Sequence, residues 1–230
     1  MIDFKQLEEQ VIFEDNHLLA VNKLASQIVQ GDKTGDTPLS ELFKEYLKEK
    51  YNKPGNVFCG VIHRLDRPVS GVVLLAKTSK ALSRMNEQFR ERDIQKIYWA
   101  VVRGNPKEEK GTLVHYLKKN EKENRSYTVK ENTTGALKSE LSYSVLKGGD
   151  NYSLLEVKPL TGRHHQIRVQ LSSIGCTIVG DVKYGDKRGN DDKSICLHAR
   201  QLILMHPVQK EPLNIVASTP NQKYWNIFKE

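Results

Sequence analysis

The stretch His63-Arg64-Leu65-Asp66-Arg67-Pro68-Val69-Ser70-Gly71 sets a carboxylate between two arginines, followed by a proline and a Ser-Gly turn signal. Val72-Val73-Leu74-Leu75-Ala76 comes next, an apolar run of strand length. Nearby positive charge favours the ionised form of an aspartate. A loop held by the strand that follows it is also a common place for chemistry. Asp66 is therefore the first candidate for a working residue. The plainer reading is a turn aspartate paired with one of its arginine neighbours.

A second stretch dense in donors is Thr161-Gly162-Arg163-His164-His165-Gln166-Ile167-Arg168. Ile167, Leu171 and Ile174 have helical spacing, and Gly175 is a natural stop. On such a helix His164 and Arg168 share one face, as do His165 and Arg168. Donors at the first turn of a helix suit an anion, whether phosphate or carboxylate. Metal ligation is not expected, because adjacent histidines point in different directions and no third ligand is spaced for them. A third candidate lies in the strand-like run 94–102. Alternation puts Lys96 and Tyr98 on one side and Ile97, Trp99 and Val101 on the other. The face that carries Lys and Tyr is expected to border a cleft.

These residues need elements to hold them. Residues 11–23 read as two strands about an Asp15-Asn16 turn. Thr37-Pro38 predicts a helix start, with Thr as cap and Pro at the first helical position, and Leu39, Leu42, Phe43, Tyr46 and Leu47 form its apolar stripe. After the strand at 72–76, Thr78 or Ser79 caps a helix to about Arg92 with Leu82, Met85 and Phe89 inward. Shorter strand runs follow at 112–117, 126–130, 137–146 and 152–158, then at 195–205 and 213–217. Trp225 and Phe228 are apolar enough to dock on the body. Strands outnumber helices, so the expected class is α+β with a mostly antiparallel central sheet flanked by helices. No repeat or linker divides the chain, which predicts one domain over 1–230, or two intimately packed halves.

The net charge is +8. A balance of that size suits a polyanionic partner, since Lys and Arg that neutralise phosphates release condensed counterions; a basic, well-solvated surface is the other reading. No apolar run approaches the roughly 20 residues that span a bilayer, and the N-terminus lacks the basic start and apolar centre of a signal peptide. A soluble, cytoplasmic protein is expected. Cys59, Cys176 and Cys196 are far apart and odd in number, so neither a disulfide framework nor zinc is indicated, and buried free thiols are expected. A zinc deaminase is excluded by the absence of H-x-E with P-C-x-x-C. P-loop and dinucleotide folds are excluded by the absence of their glycine motifs.

Together the motifs resemble those of the RluA-type pseudouridine synthases. His63-Arg64-Leu65-Asp66-Arg67 with Ser70-Gly71 and Ala76-Lys77 is similar to the family's HRLD signature, and residues 161–168 to its TGR-x-HQIR motif. Lys96-x-Tyr98, Glu14-Asp15, Val21-Asn22-Lys23, Gly180-Asp181-x-x-Tyr184-Gly185, Leu197-His198-Ala199 and His206-Pro207 follow in the family's order. The chain departs from the pattern at Leu24-Ala25-Ser26, where Pro-Ala-Gly is usual, and at Val69 and His164, where Thr is common. It resembles the shorter members, which carry no RNA-binding domain ahead of the catalytic one.

The resemblance implies isomerisation of uridine in structured RNA, ribosomal or transfer, with no cofactor or metal. Asp66 is then the catalytic carboxylate, as nucleophile or base, and Arg168, rather than Arg64 or Arg67, the charge that keeps it ionised. Tyr98 borders the flipped base, and Arg64 fills the gap that the base leaves. His63, Lys77, Arg163, His164 and His165 are expected RNA contacts. The partner is RNA, not a membrane, and a monomer is the default. The alternatives are a catalytically silent RNA-binding protein and a base hydrolase that uses an aspartate.

Overall fold

The computed structural model describes residues 2–228. In chain order it places α1 (Phe4–Gln10), β1 (Val11–Glu14), β2 (Leu18–Lys23), α2 (Leu39–Lys50), β3 (Gly60–Val61), β4 (Ser70–Ala76) and α3 (Ser79–Glu91). Then come β5 (Gln95–Arg103), β6 (Lys110–Asn120), β7 (Arg125–Val129), β8 (Leu137–Gly148), β9 (Tyr152–Pro159), α4 (Gln166–Ser173), β10 (Leu197–Met205), β11 (Pro212–Val216) and α5 (Lys223–Asn226). This is the expected α+β class. Two compact units divide it: the residues up to Ile94 with Arg200–Ser218, and Gln95–Ala199 with the residues from Thr219 on.

In the first unit the strand order is β1-β2-β4-β10, with β11 on β10 and β3 also on β4. β4 is buried along its whole length, as a continuous Val/Leu run should be when both faces of a strand are covered. Its Val72, Leu74 and Ala76 join Leu18 and Ala20 of β2, Met85 of α3, and Leu202 and Leu204 in one core cluster. α3 starts where expected, with Thr78 Oγ1 accepting from the Ala81 N–H at 3.2 Å. It stops at Arg92 in a left-handed conformation.

One expectation needed correction here. Pro38, not Thr37, is the N-cap of α2, and no side chain caps it. Its first donors are satisfied by the preceding loop instead, Leu39 N–H on Ile28 O at 2.8 Å and Ser40 N–H on Val29 O at 3.3 Å. α1 was not foreseen. Asp3 caps it through the Gln6 N–H, but only Leu7 and Gln10 are buried, too few to leave a periodic stripe.

Glu14 ends β1 in a buried ionic cluster. Its carboxylate accepts from Lys77 Nζ at 2.6 Å, Lys50 Nζ at 2.8 Å and Tyr51 Oη at 2.7 Å. Burial alone would raise its pKa; the bonds from Lys50, Lys77 and Tyr51 outweigh that and bring it down to about 2. A carboxyl held below its unfolded value stabilises the fold above the unfolded pKa and loses that stabilisation as pH falls through the folded one. Glu14→Gln is therefore expected to cost roughly 2–3 kcal/mol at neutral pH. The deficit should shrink as the pH is lowered from 4.5 towards about 2, read by denaturant unfolding of both proteins across that range. A deficit independent of pH would refute the ionic account.

In the second unit the order is β5-β9-β8-β6-β7, each neighbouring pair antiparallel. β6 and β8 extend the runs read from the sequence, whereas β7 keeps the expected five-residue length one position earlier. Trp225 of α5 docks as expected, 3% exposed, edge-on to the His198 ring at 5.8 Å. All three cysteines are free; Cys176 and Cys196 are buried, whereas Cys59 is only half-buried.

Candidate active site

Asp66 is half-buried and begins a turn closed by the Val69 N–H on Asp66 O at 3.0 Å. The turn delivers the chain into β4. Arg67 turns to the loop before α2, with Nη1 on Asp36 Oδ2 at 2.6 Å and Nη2 on Thr34 Oγ1 at 2.6 Å. Arg64 is exposed. Inside the first unit Lys23, which entered only as a letter of a motif, feels the Asp66 charge.

Lys23 is fully buried at the end of β2. Its Nζ donates to Val69 O at 2.6 Å, Leu24 O at 3.0 Å and Arg67 O at 3.1 Å. Three donors thus meet three carbonyls, two of them in the Asp66 turn, which fixes that turn against the strand beneath it. Burial pushes the ammonium down to about 7, with the Asp66 charge acting in the opposite direction.

Two of the other expected RNA contacts in this unit are tied into the fold. The His63 ring, half-buried, accepts from the Leu74 N–H at 3.1 Å and stacks on Phe89 at 5.0 Å. Lys77, its side chain 8% exposed, is held by Glu14.

In the second unit the residues 161–168 form a tight turn into α4. Gln166 organises it: its Oε1 accepts from Thr161 Oγ1 at 2.7 Å and from the Arg163 N–H at 3.0 Å, while its Nε2 donates to Glu140 O at 3.0 Å. His165 is the N-cap residue, not the first helical one, and sits at φ 54°, in the left-handed region that few residues other than glycine adopt. What holds it there is contact: Nδ1 lies 2.9 Å from Tyr184 Oη, and the ring stacks on His164 at 3.7 Å. Burial, then the Arg168 charge, pushes His165 down to about 2. It is a neutral ring at any physiological pH, so it adds no charge to an anion site. His164 is half-buried, with Nδ1 2.9 Å from Ser126 Oγ and Nε2 3.1 Å from Asn124 Oδ1. Arg163 is also half-buried, its Nε donating to Lys138 O at 3.3 Å.

Arg168 is 5% exposed and doubly bonded to Asp181, Nε to Oδ2 at 2.7 Å and Nη2 to Oδ1 at 2.8 Å. Its guanidinium also lies over the Tyr184 ring, 5.1 Å from the centroid. A forked pair of this kind fixes the plane of the guanidinium as well as its charge. Tyr184 in turn accepts from the Ser126 N–H at 2.8 Å. Asp181 and Tyr184 thus orient Arg168, although they entered only as letters of a motif. Tyr98, half-buried on β5, pairs with Val157 of β9. Asp66 belongs to the first unit, Tyr98 and Arg168 to the second.

A family model described as RNA pseudouridylate synthase matches residues 17–173. The chain belongs to that family. Pseudouridine synthases are isomerases acting on RNA, and RNA is the substrate class. The ribosomal large subunit pseudouridine synthase C of Vibrio vulnificus (strain CMCP6) is 32% identical over 94% of this chain and 68% of its own length. That of Pasteurella multocida (strain Pm70) is 34% identical over 92% of this chain and 65% of its own. The chain spans about two thirds of the length of these relatives. Among solved structures, human RNA pseudouridylate synthase domain containing 4 superposes with a TM-score of 0.79 at 26% identity, covering 95% of this chain and 91% of that one. Human RNA pseudouridylate synthase domain containing 1 gives 0.71 at 28%, covering 92% and 83%. No helix among the described residues of this pseudouridine synthase is long and apolar enough to cross a membrane.

Proposed function

We propose that this chain converts uridine to pseudouridine in a stem-loop of structured RNA, large-subunit ribosomal RNA being the first substrate to test, with Asp66 as the catalytic carboxylate. The observation that carries the reading is the Asp66 turn, a half-buried carboxylate on backbone that a buried lysine clamps at two carbonyls, Arg67 O and Val69 O. Such a turn presents a carboxylate in one place, which an attack or a proton abstraction requires. In the reaction the bond from the base nitrogen to the sugar breaks and a carbon–carbon bond to the same sugar carbon forms. The ring nitrogen ends with a proton, and the ring carbon gives one up. The atoms balance without an oxidant or a co-reactant.

Tyr98 serves the base, and Arg168 supplies the positive charge of the catalytic set. The exposed Arg64 enters the gap left by the flipped base, which costs a few kcal/mol to extrude. His63, Arg163 and His164 are retained as RNA contacts, while Lys77 and His165 act one step inside, holding Glu14 and Tyr184. The protein works as a cytoplasmic monomer. The test is incubation with a transcript of large-subunit ribosomal RNA carrying tritium at C5 of uridine. Tritium release with the RNA mass otherwise unchanged supports isomerisation. Free uracil would mean a hydrolase, and binding without either product would mean a silent RNA-binding protein.

A further inference from the structure

Arg125 opens β7 at the end of the β6–β7 hairpin, and its guanidinium carbon lies 5.0 Å from the ring centroids of both Tyr127 and Tyr184. Its Nε is buried without a hydrogen-bond partner. The carboxylates on the adjoining segments have other partners. Glu123 accepts from the Tyr127 hydroxyl, Asp181 holds Arg168, and Glu121 pairs with Lys119 at 2.7 Å. Among the described residues Lys183 has no carboxylate partner either: its Nζ donates to the carbonyls of Asn124 at 3.0 Å and Glu123 at 3.4 Å. Asn124 and Ser126, on either side of Arg125, are the residues that hold His164. The first residues of β7 therefore carry an uncompensated guanidinium, with a second cation beside it, next to the turn into α4.

A guanidinium fixed against two aromatic rings loses little freedom when it binds, and its remaining N–H donors suit the paired oxygens of a phosphate. Covered by rings, it is poorly placed to stack on a base. Arg125 is half-buried and Tyr127 is 36% exposed, so the group is within reach of a ligand. We propose that Arg125, with Lys183 beside it, binds a backbone phosphate of the RNA substrate and is preset for it by Tyr127 and Tyr184. The proposal rests on the reading of the chain as an RNA-modifying enzyme.

The test measures binding of a large-subunit ribosomal RNA transcript to wild type, Arg125→Gln and Arg125→Lys over a series of salt concentrations. One lost phosphate contact lowers the slope of log affinity against log salt by about 0.7–0.9. Arg125→Gln should show that loss together with about tenfold weaker binding at low salt. Arg125→Lys should recover the slope but only part of the affinity, since a point charge cannot replace a stacked fork. An unchanged slope in Arg125→Gln overturns the proposal and leaves Arg125 as a strut between two rings. If the glutamine variant does not fold, the lysine variant decides, and affinity equal to wild type overturns the proposal. Neither result touches tritium release by wild type, so failure here is distinct from failure of the proposed reaction.

Discussion

Asp66→Asn is expected to stop pseudouridine formation, lowering the single-turnover rate by at least about 10⁴-fold. Asparagine keeps the size and shape of the side chain, and the turn bond from Val69 N–H uses the backbone oxygen of residue 66, so the turn can still close. What is lost is the electron pair of a carboxylate, which can attack carbon or take up a proton and which an amide offers poorly. RNA affinity should change little, because the proposed grip lies in Arg64, Arg163, His164 and the cations of the second unit. The measurement is tritium release under single-turnover conditions beside RNA binding by the same protein. A rate within tenfold of wild type would remove Asp66 from the chemistry. A structural side effect must be controlled for: the Asp66 charge supports the proton on Lys23, so the variant also tilts Lys23 towards its neutral form. A match in thermal unfolding between Asp66→Asn and wild type separates that effect from catalysis.

The motif residues were legible because their order along the chain is local. The Asp66 turn and the apolar run of β4 stand side by side in the sequence, and Thr78 caps α3 as its position suggests. What was illegible depends on partners far away in the chain. A lysine at the end of a strand reads as solvated, and the burial of Lys23 follows only from carbonyls of residues 67 and 69 closing over it. His165 reads as one more donor at a helix start, yet the turn puts its ring against Tyr184, nineteen residues on. Asp181 reads as a turn residue, and only the fold shows it clasping Arg168 across thirteen residues. Alternation placed Tyr98 and Lys96 on one side of β5, and both are half-buried there, but alternation cannot say what that side faces. The same limit explains Arg67. Sequence adjacency offered it to Asp66, while the loop carrying Asp32, Thr34 and Asp36 takes it.

Lys23→Met is expected to slow catalysis while leaving RNA affinity nearly unchanged. Methionine fills a similar volume but leaves Leu24 O and Val69 O without the Lys23 bond, whereas Arg67 O keeps the Ser26 N–H at 2.9 Å. An orphaned buried carbonyl costs about 1–3 kcal/mol. Against that, the variant no longer buries an ammonium, whose desolvation offsets much of the gain from its hydrogen bonds. The two effects are of similar size, so net destabilisation should stay within about 3 kcal/mol. Its sign with pH is fixed. The folded lysine gives up its proton near 7 and the unfolded one near 10.5, so between those values the unfolded chain binds more protons and wild-type stability rises with pH. Unfolding free energies should therefore show wild type gaining on Lys23→Met between pH 7 and 10, with the smallest gap at or below 7. Catalysis has no such offset. With the clamp gone the Asp66 turn can shift by a fraction of an ångström or more, and a misplacement of about 1 Å at a reacting group can cost about 10²-fold. The rate at saturating RNA should fall by about that factor while RNA affinity stays within about threefold, since Lys23 is fully buried beneath the turn. Equal losses in rate and affinity would show that Lys23 maintains the whole unit and not the aim of one carboxylate.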